Sequence, residues 1–438
     1  MLAKLRILGL HLFILGAVAA AGAAASMTLA RVPVHWTVPN FPLLSARPGE
    51  GRINPMVLSL AGLPADTDSP GVPQPLPSVR AITVSPQDIT LRAGGRVVAT
   101  IPIAHPSLNL SQITRAVANP SWISQPGPGV IDLSAALIME QGTALTVAPP
   151  TARVLVLADR PGVLLGAHGA SLRIASATVM SQRTRYTGAY RPFVLAEKRS
   201  RLWITNSRLA GLGWNWDDSY GVSWKTGSTG GATDSTFTGN YFGVYTAGVS
   251  GLVFTRDVVS GSYSYGFDPH SYSSRLTITK NTVTGNGRHG IILAEHVTRS
   301  IVEGNTVRAN GANGIMIYQA SSGNVIQSNM VAGNRGDGIV FEAAPGNRVI
   351  GNVVSGNRVG LHVSRTAPDT LLLAGNVVAG NALNSQGILS AAGNTIASDI
   401  RLGWDADWLV IIWVLGTVLV TVTLMSLTSC LLGGRRAR

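Results

Sequence analysis

Residues Tyr265-Gly266-Phe267-Asp268-Pro269-His270 place a phenol, a carboxyl and an imidazole within six positions. An unperturbed imidazole titrates at about 6.5, so His270 can take or release a proton near neutral pH. With Asp268 and Tyr265 beside it, the chemistry on offer is general acid–base catalysis, in which one group removes a proton and another returns one. Pro269 adds a second signal. A proline lacks the N–H that a parallel ladder needs, and such local violations concentrate at functional sites. A lone outward histidine is most often merely solvated, so the weight here rests on its neighbours.

These residues are positioned by a repeat. Asn-x-Val-x-x-Asn recurs at Asn281/Asn286, Asn305/Asn310, Asn329/Asn334, Asn352/Asn357 and Asn376/Asn381, in steps of 24, 24, 23 and 24 residues. A glycine followed by alternating apolar residues recurs at Gly243, Gly266, Gly290, Gly314, Gly338 and Gly360. A unit of 22–24 residues is too short for a propeller blade, and it has neither a helical period nor a leucine-rich signature. The spacing predicts an all-β, right-handed parallel β-helix with one coil per unit. The Asn side chains stack between coils, and the glycines serve corners that need φ > 0.

Strand alternation then assigns faces. Counting from each marker glycine, positions one and three point inward: Val244/Thr246, Phe267/Pro269, Ile291/Leu293, Ile315/Ile317 and Ile339/Phe341. Positions two and four point outward. Coils stack about 4.8 Å apart, so one outward column runs Lys225, Ala247, His270, Ala294, Tyr318. The column before the glycines runs Tyr220, Phe242, Tyr265, His289, Asn313. Tyr265, Asp268, His270 and His289 thus cluster, with Lys225 and Tyr245 on preceding coils. Small Ala247 and Ala294 beside His270 leave room for a substrate.

The 438 residues include 50 glycines, only 13% charged residues and 45% hydrophobic ones, which fits a turn-dense β protein and excludes a disordered chain. The formal charge is +13. Lys4, Arg6, Arg435, Arg436 and Arg438 flank apolar termini, leaving about +8 for the body and implying an anionic partner: polyuronate, nucleic acid or phospholipid headgroups. The only cysteine, Cys430, lies in an apolar run, so no disulfide framework or Cys-based metal site is expected. No Walker-type loop or Ser-His-Asp signature is present. Asp217-Asp218, near Trp214 and Trp216, is more often a polar corner than a sugar or cation site.

Residues 1–30, with an uncharged run from Ile7 to Ala30, read as a signal peptide or membrane helix. Residues 31–128 read as a Pro-rich spacer and a small β region, which either stands alone or covers the mouth of the coils, and residues 129–400 as the β-helix. Trp408–Leu432 has 25 residues without a charge and reads as a transmembrane helix, followed by a basic cytoplasmic tail at 433–438. The expected location is the cytoplasmic membrane, crossed once or twice, with the β-helix outside.

The segments SYGVSW (Ser219–Trp224), YGFDPH (Tyr265–His270) and HGIIL (His289–Leu293), with the lead-in PFVLAEKRSRLWITNSRLAGLG (Pro192–Gly213), resemble the periplasmic mannuronan (alginate) C-5 epimerases over roughly Arg191–Asn381. The resemblance implies a right-handed parallel β-helix that turns D-mannuronate into L-guluronate within a polymer. By the same resemblance His270 is the base, Tyr265 or a water the acid, and Asp268 orients the histidine or binds sugar hydroxyls. Two positions depart from the family pattern: Ser271 stands where the motif continues with a second acid, and Glu295 where a carboxylate-neutralising arginine is expected. Lys225, Arg288 and His296 are the cations near enough to substitute. The expected substrate-binding set is Lys225, Tyr245, His289, Arg288, Glu295 and Tyr318, with no metal, no cofactor and an acidic polysaccharide rather than nucleic acid as partner. Epimerisation and β-elimination share C-5 proton abstraction, so both stay open. A non-catalytic glycan-binding protein and a glycoside hydrolase using Asp268 and Glu295 are the alternatives.

Overall fold

The computed structural model describes residues 79–215, 219–225, 227–388 and 394–396. The segments Ile7–Ala30, 31–78 and Trp408–Leu432, and the pair Asp217-Asp218, lie outside the described residues. Among the described residues, no helix is long and apolar enough to cross a membrane.

Among the described residues, three long sheets wrap one apolar core, with 14, 11 and 13 strands. Consecutive coils pair in parallel. In the first sheet, here sheet A, Val244 pairs with Phe267, Phe267 with Ile291, Ile291 with Ile315 and Ile315 with Ile339. These residues belong to the continuous core, together with Trp224, Phe254 and Val283. The inward set read from the repeat is therefore the set that packs. Strands in the other two sheets are often only three residues long, such as Thr277–Thr279 and Thr282–Thr284, with a single buried β-branched residue at the centre. Such strands have little stability alone and gain it by stacking on both neighbours.

The Asn ladders run through the interior corners. Asn305 Nδ2 donates to Asn329 Oδ1 at 3.0 Å and Asn329 Nδ2 to Asn352 Oδ1 at 2.9 Å. Each carboxamide oxygen also accepts a backbone N–H from the coil before it, as Asn329 does from Asn305 at 2.9 Å. The parallel series through Asn286, Asn310, Asn334 and Asn357 repeats the pattern. From Asn305 to Asn352 the buried carboxamides are thereby paired with one another and with backbone.

The marker glycines have a different cause from the one the sequence implies. Gly266 does not have positive φ. A Cβ there would lie 2.5 Å from the Gly290 carbonyl oxygen and 2.9 Å from Asn286 Nδ2. Close stacking of backbone on backbone excludes a side chain. Positive φ falls instead on the following corners, where Ser271/Tyr272, Glu295/His296 and Gln319/Ala320 are consecutive left-handed pairs.

Residues 80–128 are built into the N-terminal end of the solenoid. Arg80–Val84 extends sheet A by pairing parallel to Ala136–Met139, and two antiparallel strands, Asp88–Ala93 and Arg96–Pro102, follow it outward. The region read as spacer and β structure also contains a helix, Leu110–Val117, which buries Leu110, Ile113 and Val117. Asn109 and Gln112 form a reciprocal capping box at its start. The apolar end of a solenoid must be covered, and this segment covers it.

Candidate functional site

The site sits on the outward face of sheet A. The register runs Ser223–Tyr245–Asp268 in one column and Lys225–Ala247–His270 in the next. Ahead of the glycines, Tyr220, Phe242 and Tyr265 follow one another with ring centroids 4.7 and 4.9 Å apart. Tyr265 then stacks on His289 at 5.3 Å with planes 10° apart. Tyr265, Asp268, His270 and His289 are brought together, and the Tyr245 ring lies 6.0 Å from that of His270. Tyr318 sits two coils beyond His270, against the small apolar cluster of Ile292, Met316 and Val340. Lys225 sits two coils before His270, roughly 10 Å away.

Pro269 breaks the ladder. The strand Phe267–His270 pairs at four positions with the preceding coil, but only at Phe267 with the following one. The Phe267 N–H donates to the Gly290 carbonyl at 2.9 Å and the Ser271 N–H to the Ala294 carbonyl at 3.0 Å. The donor expected between them, on residue 269, does not exist. Regular pairing resumes on the next coil.

Burial sets the charge state. Asp268 is 2% exposed, and its Oδ1 is buried without a hydrogen-bond partner. Loss of water and then the nearby charge of Glu295 push its carboxyl well above the usual range, while Arg288 opposes the shift. Burial and Glu295 both favour the protonated form of Asp268. His289 is pushed down to about 3, first by burial and then by Arg288. Its Nδ1 accepts the Asn313 N–H at 3.2 Å, so the neutral ring carries its proton on Nε2. Burial and Asp268 raise the Tyr265 phenol to about 12, keeping it protonated. The Arg288 guanidinium lies 5.2 Å from the Tyr265 ring centroid.

His270 is partly open, with 17% of its side chain exposed. Its Nδ1 meets Ser271 Oγ at 2.5 Å. Ser271 Oγ donates in turn to Glu295 Oε2 at 3.1 Å, and that oxygen lies 3.7 Å from Nδ1. The left-handed corners put Ser271 directly over Glu295: the Tyr272 N–H donates to the Glu295 carbonyl at 2.9 Å. The sequence marks Ser271 only as a departure from the family motif and assigns it no contact. The signal that finds it is the 24-residue step from 271 to 295, one place beyond the outward positions counted there.

Of the three cations, Arg288 alone acts on Asp268, Tyr265 and His289 together. The Ala196–Trp224 pairing places Lys225 beside Glu197. His296 is stacked on exposed Tyr272 at 4.8 Å, at the corner beyond Glu295. Among the described residues, no cluster of His, Cys, Asp and Glu is arranged to hold a metal ion.

Comparison with known proteins agrees with the β-helix fold. The model of the right-handed beta helix region matches residues 220–383. The chain is 28% identical over 195 residues to the mannuronan C5-epimerase of Pseudomonas syringae pv. tomato, covering 40% of this chain and 36% of the relative. It is 27% identical over 187 residues to that of Pseudomonas aeruginosa, covering 39% and 34%. The match therefore spans about a third of the length of these curated relatives. Among solved structures, the periplasmic alginate epimerase AlgG superposes with a TM-score of 0.56 at 23% identity, over 66% of this chain and 82% of that one. A double mutant of the same protein gives 0.58 at 22% identity, with the same coverage. These structures share the fold, and the chain carries a mannuronan-epimerase-like right-handed β-helix.

Proposed function

We propose that this protein modifies an acidic polysaccharide by removing the proton at C-5 of a uronate residue. The observation that carries the reading is the composition of one sheet face. A partly open imidazole, His270, stands beside a neutral phenol, Tyr265, a neutral imidazole, His289, and a buried carboxyl raised well above its ordinary range, Asp268, with one guanidinium, Arg288, next to them. The relatives named as mannuronan C5-epimerases support the same chemistry.

C-5 of a uronate becomes acidic only when its carboxylate is neutralised. Arg288 supplies the charge, and the proton held on Asp268 and the His289 Nε2–H supply hydrogen bonds to the oxygens where charge develops. His270 takes the C-5 proton, and the C–H electron pair moves into the carboxylate as an enolate. Return of a proton to C-5 from the opposite face, by the Tyr265 phenol or by water, gives the epimer. Loss of the C-4 oxygen substituent instead gives a double bond between C-4 and C-5 and cleaves the chain. A Tyr265 held at about 12 remains a proton donor through the neutral range.

We further propose an extracytoplasmic setting, with Trp408–Leu432 tethering the solenoid to the membrane. The uncharged run and its trailing arginines support this, and membrane fractionation with protease accessibility tests it. The activity is tested by incubating full-length protein with polymannuronate in deuterated water. Deuterium at C-5, with guluronate or unsaturated ends, is expected. Retention of all C-5 protons on mannuronate, polygalacturonate and polyglucuronate alike contradicts the reading.

A further inference from the structure

We infer that Glu295, acting through the Ser271 hydroxyl, is the positioning residue of His270: it fixes the imidazole proton on Nδ1 and makes Nε2 the basic nitrogen. The role rests on the reading of His270 as the base. A carboxylate only accepts hydrogen bonds, so the Ser271 O–H must point at Glu295 Oε2, 3.1 Å away. A hydroxyl has one proton, and Oγ then meets Nδ1 at 2.5 Å only as an acceptor. Nδ1 must carry the hydrogen, and in the neutral ring the lone pair falls on Nε2. The direction of two hydrogen bonds thus settles a tautomer.

The same contacts explain why a carboxylate is tolerated in a site for anionic sugars. Glu295 is 8% exposed and directs Oε2 at Ser271 and at His270 Nδ1. As His270 takes a proton, the positive charge forms 3.7 Å from that oxygen, so Glu295 stabilises the imidazolium and strengthens the base. Its charge also raises the Asp268 carboxyl, adding to the larger effect of burial. A single carboxylate therefore orients the base and, after burial, adds to the upward shift of the neighbouring acid. This is the relation of a buried acid to its histidine, extended by one hydroxyl.

Other groups face His270 as well. Asp268 lies two residues earlier on its strand, Tyr245 is on the coil before, Lys225 stands two coils back and Arg288 lies on the coil after. Lys225 and Arg288 oppose protonation of the ring, so the effect of Glu295 is measured by difference. In full-length protein labelled with ¹⁵N-histidine, the His270 signals are assigned by their loss in His270→Ala. Wild type is expected to show the Nδ1–H tautomer. Glu295→Gln, which keeps the shape, is expected to lower the His270 midpoint by about one pH unit. Ser271→Ala is expected to shift the ring toward the Nε2–H form. The acid limb of the kcat/KM profile moves down with the midpoint in Glu295→Gln. An Nε2–H tautomer in wild type, or a midpoint unchanged in Glu295→Gln, overturns the inference. If the ring titrates as expected yet no polyuronate exchanges C-5 hydrogen, the positioning role stands and the proposed reaction falls. If exchange occurs and the midpoint does not move, the reaction stands and the role falls.

Discussion

Two neighbouring stretches of sheet A behave differently. From Ile291 to Glu342 successive coils pair at three or four positions, while the interior corners behind them carry complete Asn ladders. One coil earlier, Phe267–His270 pairs only once with its successor, contains a proline and buries a carboxyl oxygen without a partner. The regular coils put nearly every polar group into stacking. The irregular coil gives up ladder hydrogen bonds and gains a set of largely buried titratable groups around a partly open imidazole. Local cost beside a regular scaffold is what a site looks like when the scaffold supplies the stability.

The contrast is sharpest at Arg288. Replacing it with Met, which keeps the stem over Tyr265, is expected to lower kcat/KM on a polyuronate by about 10²-fold with little change in melting temperature. Kinetics beside a thermal melt check both halves of that statement. In the regular region the opposite division is expected. Asn329→Ala strands the Asn305 N–H and Nδ2 and removes the donor to Val302 and Asn352. A loss of about 3 kcal/mol follows, read by denaturant unfolding, with C-5 chemistry intact in the folded fraction.

A smaller effect belongs to Asp257, which starts one ladder by accepting the Ser235 N–H at 2.8 Å. Burial raises its carboxyl to about 7, so folding takes up a proton between about pH 4 and pH 7 and stability falls as pH rises through that window. Asp257→Asn is expected to flatten that slope, raising the melting temperature at pH 8 and leaving it nearly unchanged at pH 4. The smallest effect is at Pro269. Pro269→Ala restores a donor toward the Ile292 carbonyl but frees the unfolded chain, and these terms offset to within about 1 kcal/mol. A near-neutral melt with reduced activity would tie the broken ladder to function rather than to folding.

Much of this was legible in the sequence because the repeat is strict. The 24-residue step fixes which side chains share a column, so Lys225, Ala247 and His270 on one line, and Tyr265 beside His289, follow from counting alone. The core pairs Phe267/Ile291 and Ile315/Ile339 follow from alternation. Counting could not show what happens where alternation ends. Two consecutive left-handed residues at each corner turn Ser271 and Glu295 onto His270, and no period encodes that turn. The marker glycines mislead for a related reason: they answer to a carbonyl one coil away rather than to their own φ. The cap at Leu110–Val117 announces itself only through Asn109 and Gln112, a two-residue signal inside a stretch that otherwise alternates.

The central claim is that the irregular coil does chemistry while the regular ones hold it in place. It is tested most directly by following deuterium entry at C-5 of polymannuronate with wild type and His270→Ala, alongside their thermal melts. The account predicts that exchange in the variant falls by about 10³-fold or more while the melting temperature stays within a few degrees. Equal exchange in the two proteins, or loss of exchange only in step with loss of fold, would contradict it.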